Sequence, residues 1–261
     1  MKNIVDAIVT LIARNDFNLT AARGSHNRAN SQGDALENYI KNLFADTFDC
    51  SETERLKKWS ETFSWLGNSS NPPDFMLKGG DAVEVKKIES PDAAIALNSS
   101  PPKHTLKNSS PLISKACREA EDWSEKEIIY TVGVVNGNSL KHLCMVYGRD
   151  YCASEECYEQ AKLKPLDPLG ITRAKNFVYQ IANPWRAFGY VYQRNLQAEF
   201  NFMCIINYDK WTQLENRAAF SELQEKYPAL KVDDVKLKSP DSPAEFNDAK
   251  LIIYSRVRLP C

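Results

Sequence analysis

Asp74-Phe75-Met76-Leu77-Lys78-Gly79-Gly80-Asp81-Ala82-Val83-Glu84-Val85-Lys86 is the stretch of this 261-residue chain on which the reading of the fold turns. Phe75 to Leu77 and Ala82 to Lys86 are short apolar or alternating runs separated by a Gly-Gly pair, the pattern of a β-hairpin. Side chains alternate faces along a strand, so Glu84 and Lys86 share one face while Val83 and Val85 point to the other. Folding back at Gly79-Gly80 brings Asp74 opposite residues 84 and 85, at the separation of about 5–8 Å typical of cross-strand neighbours. Two carboxylates and a lysine thereby converge from one short segment.

Such a set suits hydrolysis of a phosphodiester, which needs a metal to polarise the phosphate, a way to make hydroxide from water, and stabilisation of the leaving oxygen. A Mg²⁺ ion takes oxygen ligands at about 2.0–2.1 Å and keeps several waters. Asp74 and Glu84, with the backbone carbonyl of Val85, are therefore the candidate metal ligands, and Mn²⁺ can stand in for Mg²⁺. Lys86 orients the attacking water or helps deprotonate it, a role open to a lysine whose pKa burial lowers. Glu37, on the helix before the hairpin, is a candidate further ligand of metal or water; the alternative is an ordinary solvated helix glutamate.

The triplet acid-x-Lys carries little information alone, since composition predicts about three in such a chain, and three occur. The other two are Asp234-Val235-Lys236 and Asp248-Ala249-Lys250, the latter with Pro240-Asp241 upstream. The segment between Asp241 and Asp248 holds a proline and no strand pattern, so nothing folds one acid onto the other. Only the first triplet sits on a hairpin.

Outward from the hairpin, Ile4, Val5, Ile8, Leu11 and Ile12 recur at helical spacing, predicting an amphipathic helix from Ile4 to Ala13. A polar stretch, Arg23 to Ser31, leads to a second helix carrying Leu36, Tyr39, Ile40, Leu43 and Phe44, with Ser31 or Asp34 as the candidate cap. After the hairpin come a Ser/Pro/Asn-rich loop from Asn98 to Pro111, a helix ending near Trp123, and two β-rich runs, Ile128 to Val135 and Leu140 to Tyr147, joined at Asn136-Gly137. Further strands are expected at Glu199 to Ile206 and Leu251 to Val257, and helix around Trp211 to Tyr227. This order predicts an α/β (α+β) fold with a mixed central sheet flanked by helices. One domain spanning 1–261 is expected, its core at about 31–150 with elaborations at both ends.

Composition bounds the rest. Hydrophobic residues make up 43% and charged residues 26%, which excludes a disordered chain. No apolar run reaches membrane-spanning length and Met1 to Asp6 lacks a signal peptide's apolar core, so a cytoplasmic protein is expected. Seven cysteines without a CxxC pair read as reduced, mostly buried thiols rather than zinc ligands. A net charge of −1 argues against a protein that coats nucleic acid indiscriminately. Local excess of base exists, however: Lys103, Lys107, Lys115 and Arg118 stand in an acid-free stretch.

The residues also carry a family resemblance. Asn27 to Glu37, Asn71-Pro72-Pro73-Asp74, Glu84 to Ser90 and Ala96-Leu97-Asn98-Ser99-Ser100 resemble the NgoPII-type restriction endonucleases, of the PD-(D/E)xK nuclease superfamily. The similarity spans most of the chain and is densest from Asn27 to Pro102. It implies a restriction-endonuclease-like core and a Mg²⁺-dependent type II enzyme. Such an enzyme cuts double-stranded DNA at a short palindrome, GGCC for the family's namesake, leaves 5′-phosphate ends, and is paired with a cognate DNA methyltransferase. Asp74, Glu84 and Lys86 match its nuclease motif without departure. A palindromic target suggests a twofold homodimer with one active site for each strand. Candidates for contact with DNA are Arg23, Asn27, Arg28 and Asn30 in the polar segment and Lys103, His104 and Lys107 in the acid-free loop. The chemistry of guanine recognition favours Arg and Lys, aided by Asn. Two alternatives stay open at this level: a repair or structure-specific nuclease with the same hairpin, and a non-catalytic DNA-binding protein.

Overall fold

The computed structural model describes residues 1–14, 16–19, 28–68, 70–98, 102–153, 178–181, 200–207, 230–235 and 250–257, with Pro184 and Glu225. In chain order the elements are α1 (Ile4–Arg14), α2 (Arg28–Ala45), α3 (Glu52–Thr62), β1 (Phe63–Trp65), β2 (Phe75–Leu77), β3 (Ala82–Ile88), β4 (Ile95–Asn98), β5 (Thr105–Lys107) and α4 (Lys115–Arg118). There follow β6 (Glu125–Asn136), β7 (Ser139–Tyr147), α5 (Gly148–Tyr151), β8 (Val178–Ile181), β9 (Phe200–Asn207), β10 (Leu230–Val235) and β11 (Lys250–Val257).

The hairpin forms as its sequence requires. β2 and β3 pair antiparallel, Phe75 opposite Val83 and Met76 opposite Ala82. Gly79 takes φ 62° at the turn, a conformation that costs glycine nothing and most residues about 1 kcal/mol or more. Tertiary contacts then pin it: the Gly79 amide donates to Glu121 Oε2 at 2.8 Å, and the Lys126 ammonium donates to the Gly80 carbonyl at 2.6 Å while pairing with Glu121.

The larger sheet has nine strands, eight in the order β1-β2-β3-β6-β7-β9-β11-β10 with β5 attached to β6. It is mixed, as expected. β3 and β6 run parallel with Glu84 opposite Tyr130 and Lys86 opposite Val132; β6 and β7 form the antiparallel pair around Asn136-Gly137; β7 and β9 are again parallel. β4 and β8 make a separate two-stranded sheet.

Alternation along these strands builds a core on each face. On one, Phe75, Leu77, Val83, Ile129, Leu143 and Met145 meet the apolar stripes of α1 and α2; on the other, Met76, Ala82, Ile88, Tyr130, Val132, Cys144, Val146 and Met203 pack together. Every residue of the two predicted helical stripes is buried, and each such side chain contributes about 1.5–3 kcal/mol by leaving water. Cys117, Cys144, Cys152 and Cys204 are buried free thiols and Cys50 is a partly exposed one.

Several expected boundaries move. α2 begins at Arg28, so Ser31 and Asp34 lie inside the helix rather than capping it. Arg, Ala and Gln are good helix formers, and an apolar stripe alone does not reveal a polar first turn. The helix expected to end near Trp123 is a single turn, α4. Its downstream carbonyls are taken by side chains, since Trp123 Nε1 donates to Cys117 O at 3.3 Å and Asn108 Nδ2 to Arg118 O at 3.1 Å, which stops propagation. The expected loop from Asn98 to Pro111 contains β5, paired with β6. α3 and β10 were not anticipated. α3 buries no residue fully and so shows no core stripe; a capping box between Ser51 and Glu54 starts it, worth about 1 kcal/mol. Strands β9 and β11 lie where two were expected, whereas the helix expected from Trp211 to Tyr227 lies outside the described residues apart from Glu225. Among the described residues no helix is long and apolar enough to cross a membrane.

Candidate active site

β2 starts at Phe75, opposite Val83, so β3 runs on past its partner and the backbone beyond Glu84 has a free edge there. Asp74 fills it. Its Oδ2 accepts a hydrogen bond from the Val85 amide at 2.6 Å, substituting for the strand that has ended and fixing the carboxylate beside β3. Glu84 and Lys86, two residues apart on one face, are joined by a 2.6 Å ion pair between Lys86 Nζ and Glu84 Oε1.

The backbone behind Asp74 is equally constrained. Gly67 has φ +87°, and a Cβ there would stand 2.2 Å from the Asp74 carbonyl oxygen. Only glycine permits that approach, so the segment after β1 braces Asp74 from behind.

Glu37 approaches from α2. Its charge reaches both Asp74 and Lys86, raising the pKa of each. It is held by Lys41, one turn further along α2, whose Nζ donates to Glu37 Oε1 at 2.5 Å. The same ammonium donates to the Leu66 carbonyl at 2.9 Å. Sequence reading passed over Lys41; the available signal was the i,i+4 Glu-to-Lys spacing.

The electrostatics are those of a site short of positive charge. Burial, then the Glu84 and Glu37 carboxylates, push Asp74 from 3.8 to about 8 against the opposing pull of Lys86 and the Val85 amide. Burial alone would lower Lys86, as the sequence argument expected, but Glu84, Asp74 and Glu37 outweigh it and the lysine is raised. In this metal-free arrangement the carboxylates favour the charged form of Lys86, which donates to Glu84 Oε1. Glu84 Oε2 is buried with no hydrogen-bond partner among the described residues, an orphan acceptor that costs about 1–3 kcal/mol or more if left so.

These observations test the fit of a divalent cation. Three carboxylates face two ammonium groups, an acceptor oxygen is unpaired, and Asp74 resists ionisation for want of a counter-charge; a hard cation with oxygen ligands would meet all three conditions. Among the described residues no three Asp, Glu, His or Cys side chains converge closely enough to cage an ion unaided. Asp74 and Glu84, with the Val85 carbonyl, are the donors that would remain to hold such an ion, with positions left for water.

Lys103, His104 and Lys107 lie around β5, away from the hairpin end. Lys103 is buried at 9% exposure and its amide donates to the Tyr130 hydroxyl at 2.7 Å; His104 and Lys107 are half-buried. Lys107 pairs with Glu125 on β6, five residues or about 16 Å along that strand from Tyr130, the partner of Glu84. Arg28 and Asn30 occupy the first turn of α2, their side chains outside the described residues, as are Arg23 and Asn27 altogether. Of the decoy triplets, Asp234 lies on β10 and Lys250 on β11; Lys236, Asp241 and Asp248 lie outside the described residues.

A mixed sheet flanked by helices, with an acid before a hairpin and a Glu-x-Lys on its second strand, matches the restriction-endonuclease-like class of fold. Sequence comparison narrows this: the family model for the NgoPII restriction endonuclease matches residues 2–164 and 159–238. The Type II restriction enzyme NgoPII of Neisseria gonorrhoeae is 46% identical over 277 aligned positions, covering 97% of this chain and 99% of that protein. The chain belongs to the NgoPII restriction endonuclease family and is a type II restriction endonuclease, a site-specific deoxyribonuclease. No solved structure matches it.

Proposed function

We propose that the protein hydrolyses double-stranded DNA with Mg²⁺ at a short palindrome, GGCC being the target the family resemblance implies, and leaves 5′-phosphate ends. The observation that carries this is the convergence of Asp74, Glu84 and Lys86 at the end of the β2–β3 hairpin, with an unpaired buried oxygen on Glu84.

Asp74 and Glu84, with the Val85 carbonyl, would hold Mg²⁺, which when bound neutralises charge building on the phosphate. Lys86, kept protonated by its carboxylate neighbours, donates a hydrogen bond that positions the attacking water and steadies negative charge. Glu37, half shielded on α2, is a second acceptor for that water or for an ion's hydration shell. The Val85 amide holds the Asp74 carboxylate in one orientation throughout.

Two such sites are needed to cut both strands of a palindrome, which supports a homodimer. Cleavage of this kind in a cell that carries the same sequence calls for a methyltransferase protecting the host DNA, and a cytoplasmic setting accords with the free thiols.

Incubating bacteriophage DNA with protein and Mg²⁺, then sequencing the ends, tests the reading. Discrete fragments sharing one terminal palindrome and ligatable 5′-phosphates are expected. A smear, or cutting only at branched or mismatched DNA, points instead to a repair nuclease. Duplex binding without cleavage under any divalent metal leaves a DNA-binding protein.

A further inference from the structure

Lys41 is, among the described residues, a buried charge that the motif does not use. Its side chain is 6% exposed, on a helix whose neighbouring buried positions are Ile40, Leu43 and Phe44. Lysines are almost never held this far from water unless a partner repays the lost hydration. Here the partners are specific. Nζ donates to Glu37 Oε1 at 2.5 Å and to Leu66 O at 2.9 Å, and it lies 5.8 Å from the ring centroids of both Trp59 and Phe75.

Each partner leads to the catalytic cluster. Glu37 is bonded to the same ammonium that lies over the ring of Phe75, the residue next to Asp74. Leu66 precedes Gly67, whose α-carbon is pressed against the Asp74 carbonyl. Phe75 follows Asp74 in the chain. One ammonium therefore joins the helix that carries the third carboxylate to the Leu66 carbonyl, before the glycine that abuts Asp74, and to the ring of the residue that follows Asp74.

We propose that Lys41 is a positioning residue for the metal site: its ammonium holds Glu37 in the cluster and locks the Leu66–Gly67 segment against Asp74, setting ion affinity without touching ion or DNA. The proposal rests on the reading of Asp74 and Glu84 as metal ligands. A lysine serving stability alone would be replaceable by an apolar residue of like size with the ion affinity intact, since buried ion pairs are often no more stabilising than good packing.

The test is Mn²⁺ binding to the full chain by calorimetry without DNA, alongside thermal unfolding, for wild type, Asp74→Ala, Glu37→Gln, Lys41→Met and Lys41→Met/Glu37→Gln. Wild type is expected to bind and Asp74→Ala not to bind. Lys41→Met is expected to bind at least tenfold more weakly while melting cooperatively, and the double variant to bind within twofold of Lys41→Met, because the glutamate acts only when the ammonium holds it. Lys41→Arg, which keeps charge and reach, is expected to stay within about threefold of wild type. Wild-type affinity in Lys41→Met, or losses that multiply in the double variant, overturn the proposal while leaving the metal reading intact; absence of Mn²⁺ binding by wild type overturns both. Should Lys41→Met fail to fold, Lys41→Gln replaces it, and full affinity there is equally fatal.

Discussion

Asp74→Asn isolates the charge on which the site depends. The substitution keeps shape, and the amide oxygen still accepts the Val85 N–H bond made at 2.6 Å. What it removes is a carboxylate that burial and two like charges push from 3.8 to about 8. At pH 8 the unfolded chain ionises this group fully and the folded chain only in part, so the fold is penalised by close to four pH units at about 1.4 kcal/mol each, a ceiling of about 5 kcal/mol. Side-chain relaxation and water entry reduce it, and a gain of about 2–4 kcal/mol is expected for metal-free Asp74→Asn, or a Tm higher by about 5–10 °C. The sign follows from linkage. A raised carboxyl pKa means that the folded state binds more protons between about pH 4 and 8, so wild-type stability from this group is lost as pH rises through that window. The advantage of Asp74→Asn should accordingly shrink to about 1–2 kcal/mol at pH 5. Thermal melts at pH 5 and 8, with chelator and with excess Mg²⁺, supply the assay; Mg²⁺ should raise the wild-type Tm and leave the variant's unchanged, and the variant should not cut DNA. A variant no more stable than wild type at pH 8, or equally advantaged at both pH values, would refute the charge argument.

Glu84→Gln and Lys86→Ala should each lower cleavage by about two orders of magnitude or more with duplex binding retained, whereas Lys250→Ala should cut normally; loss of cutting in Lys250→Ala alone would show that the wrong triplet had been chosen. Gly67→Ala places a methyl 2.2 Å from the Asp74 carbonyl oxygen at φ +87° and should cost about 1–3 kcal/mol of stability together with metal-dependent cleavage, read by melting and by an Mg²⁺ titration. Thr131→Val removes a buried hydroxyl that lacks a hydrogen-bond partner among the described residues; a melt unchanged or raised by about 1 kcal/mol is expected, and clear destabilisation would mean the hydroxyl is satisfied. His142 is lowered to about 4 by burial, then by Lys141, so it is neutral in the fold and its contribution is lost as pH falls from 6.5 toward 4. His142→Gln should flatten that acid limb of the stability curve.

Much of the fold was legible because it is local. The stripes of α1 and α2, the β2–β3 turn and the β6–β7 pair each follow from periodicities of a few residues, and all are found. The convergence of Asp74, Glu84 and Lys86 at the candidate site was legible for the same reason: they meet across a single hairpin whose register follows from its turn. What periodicity could not show was α3, which has no buried stripe, the polar first turn of α2, or the early end of α4, where Trp123 and Asn108 take the carbonyls that a longer helix needs. The sign of the Lys86 shift was also illegible, since burial and three carboxylates pull opposite ways and only their positions decide the balance.

By itself, then, the sequence determined the hairpin, the acid-and-lysine set it presents and the apolar faces of the helices around it, because each depends on spacing along one segment. Only the tertiary structure decided that β3 lies parallel to β6, that Gly67 abuts Asp74, and that Lys41 on α2 ties Glu37 to the Leu66 carbonyl. Those contacts join residues that are remote in sequence, and their energies come from burial and charge proximity, which exist only once the chain has packed.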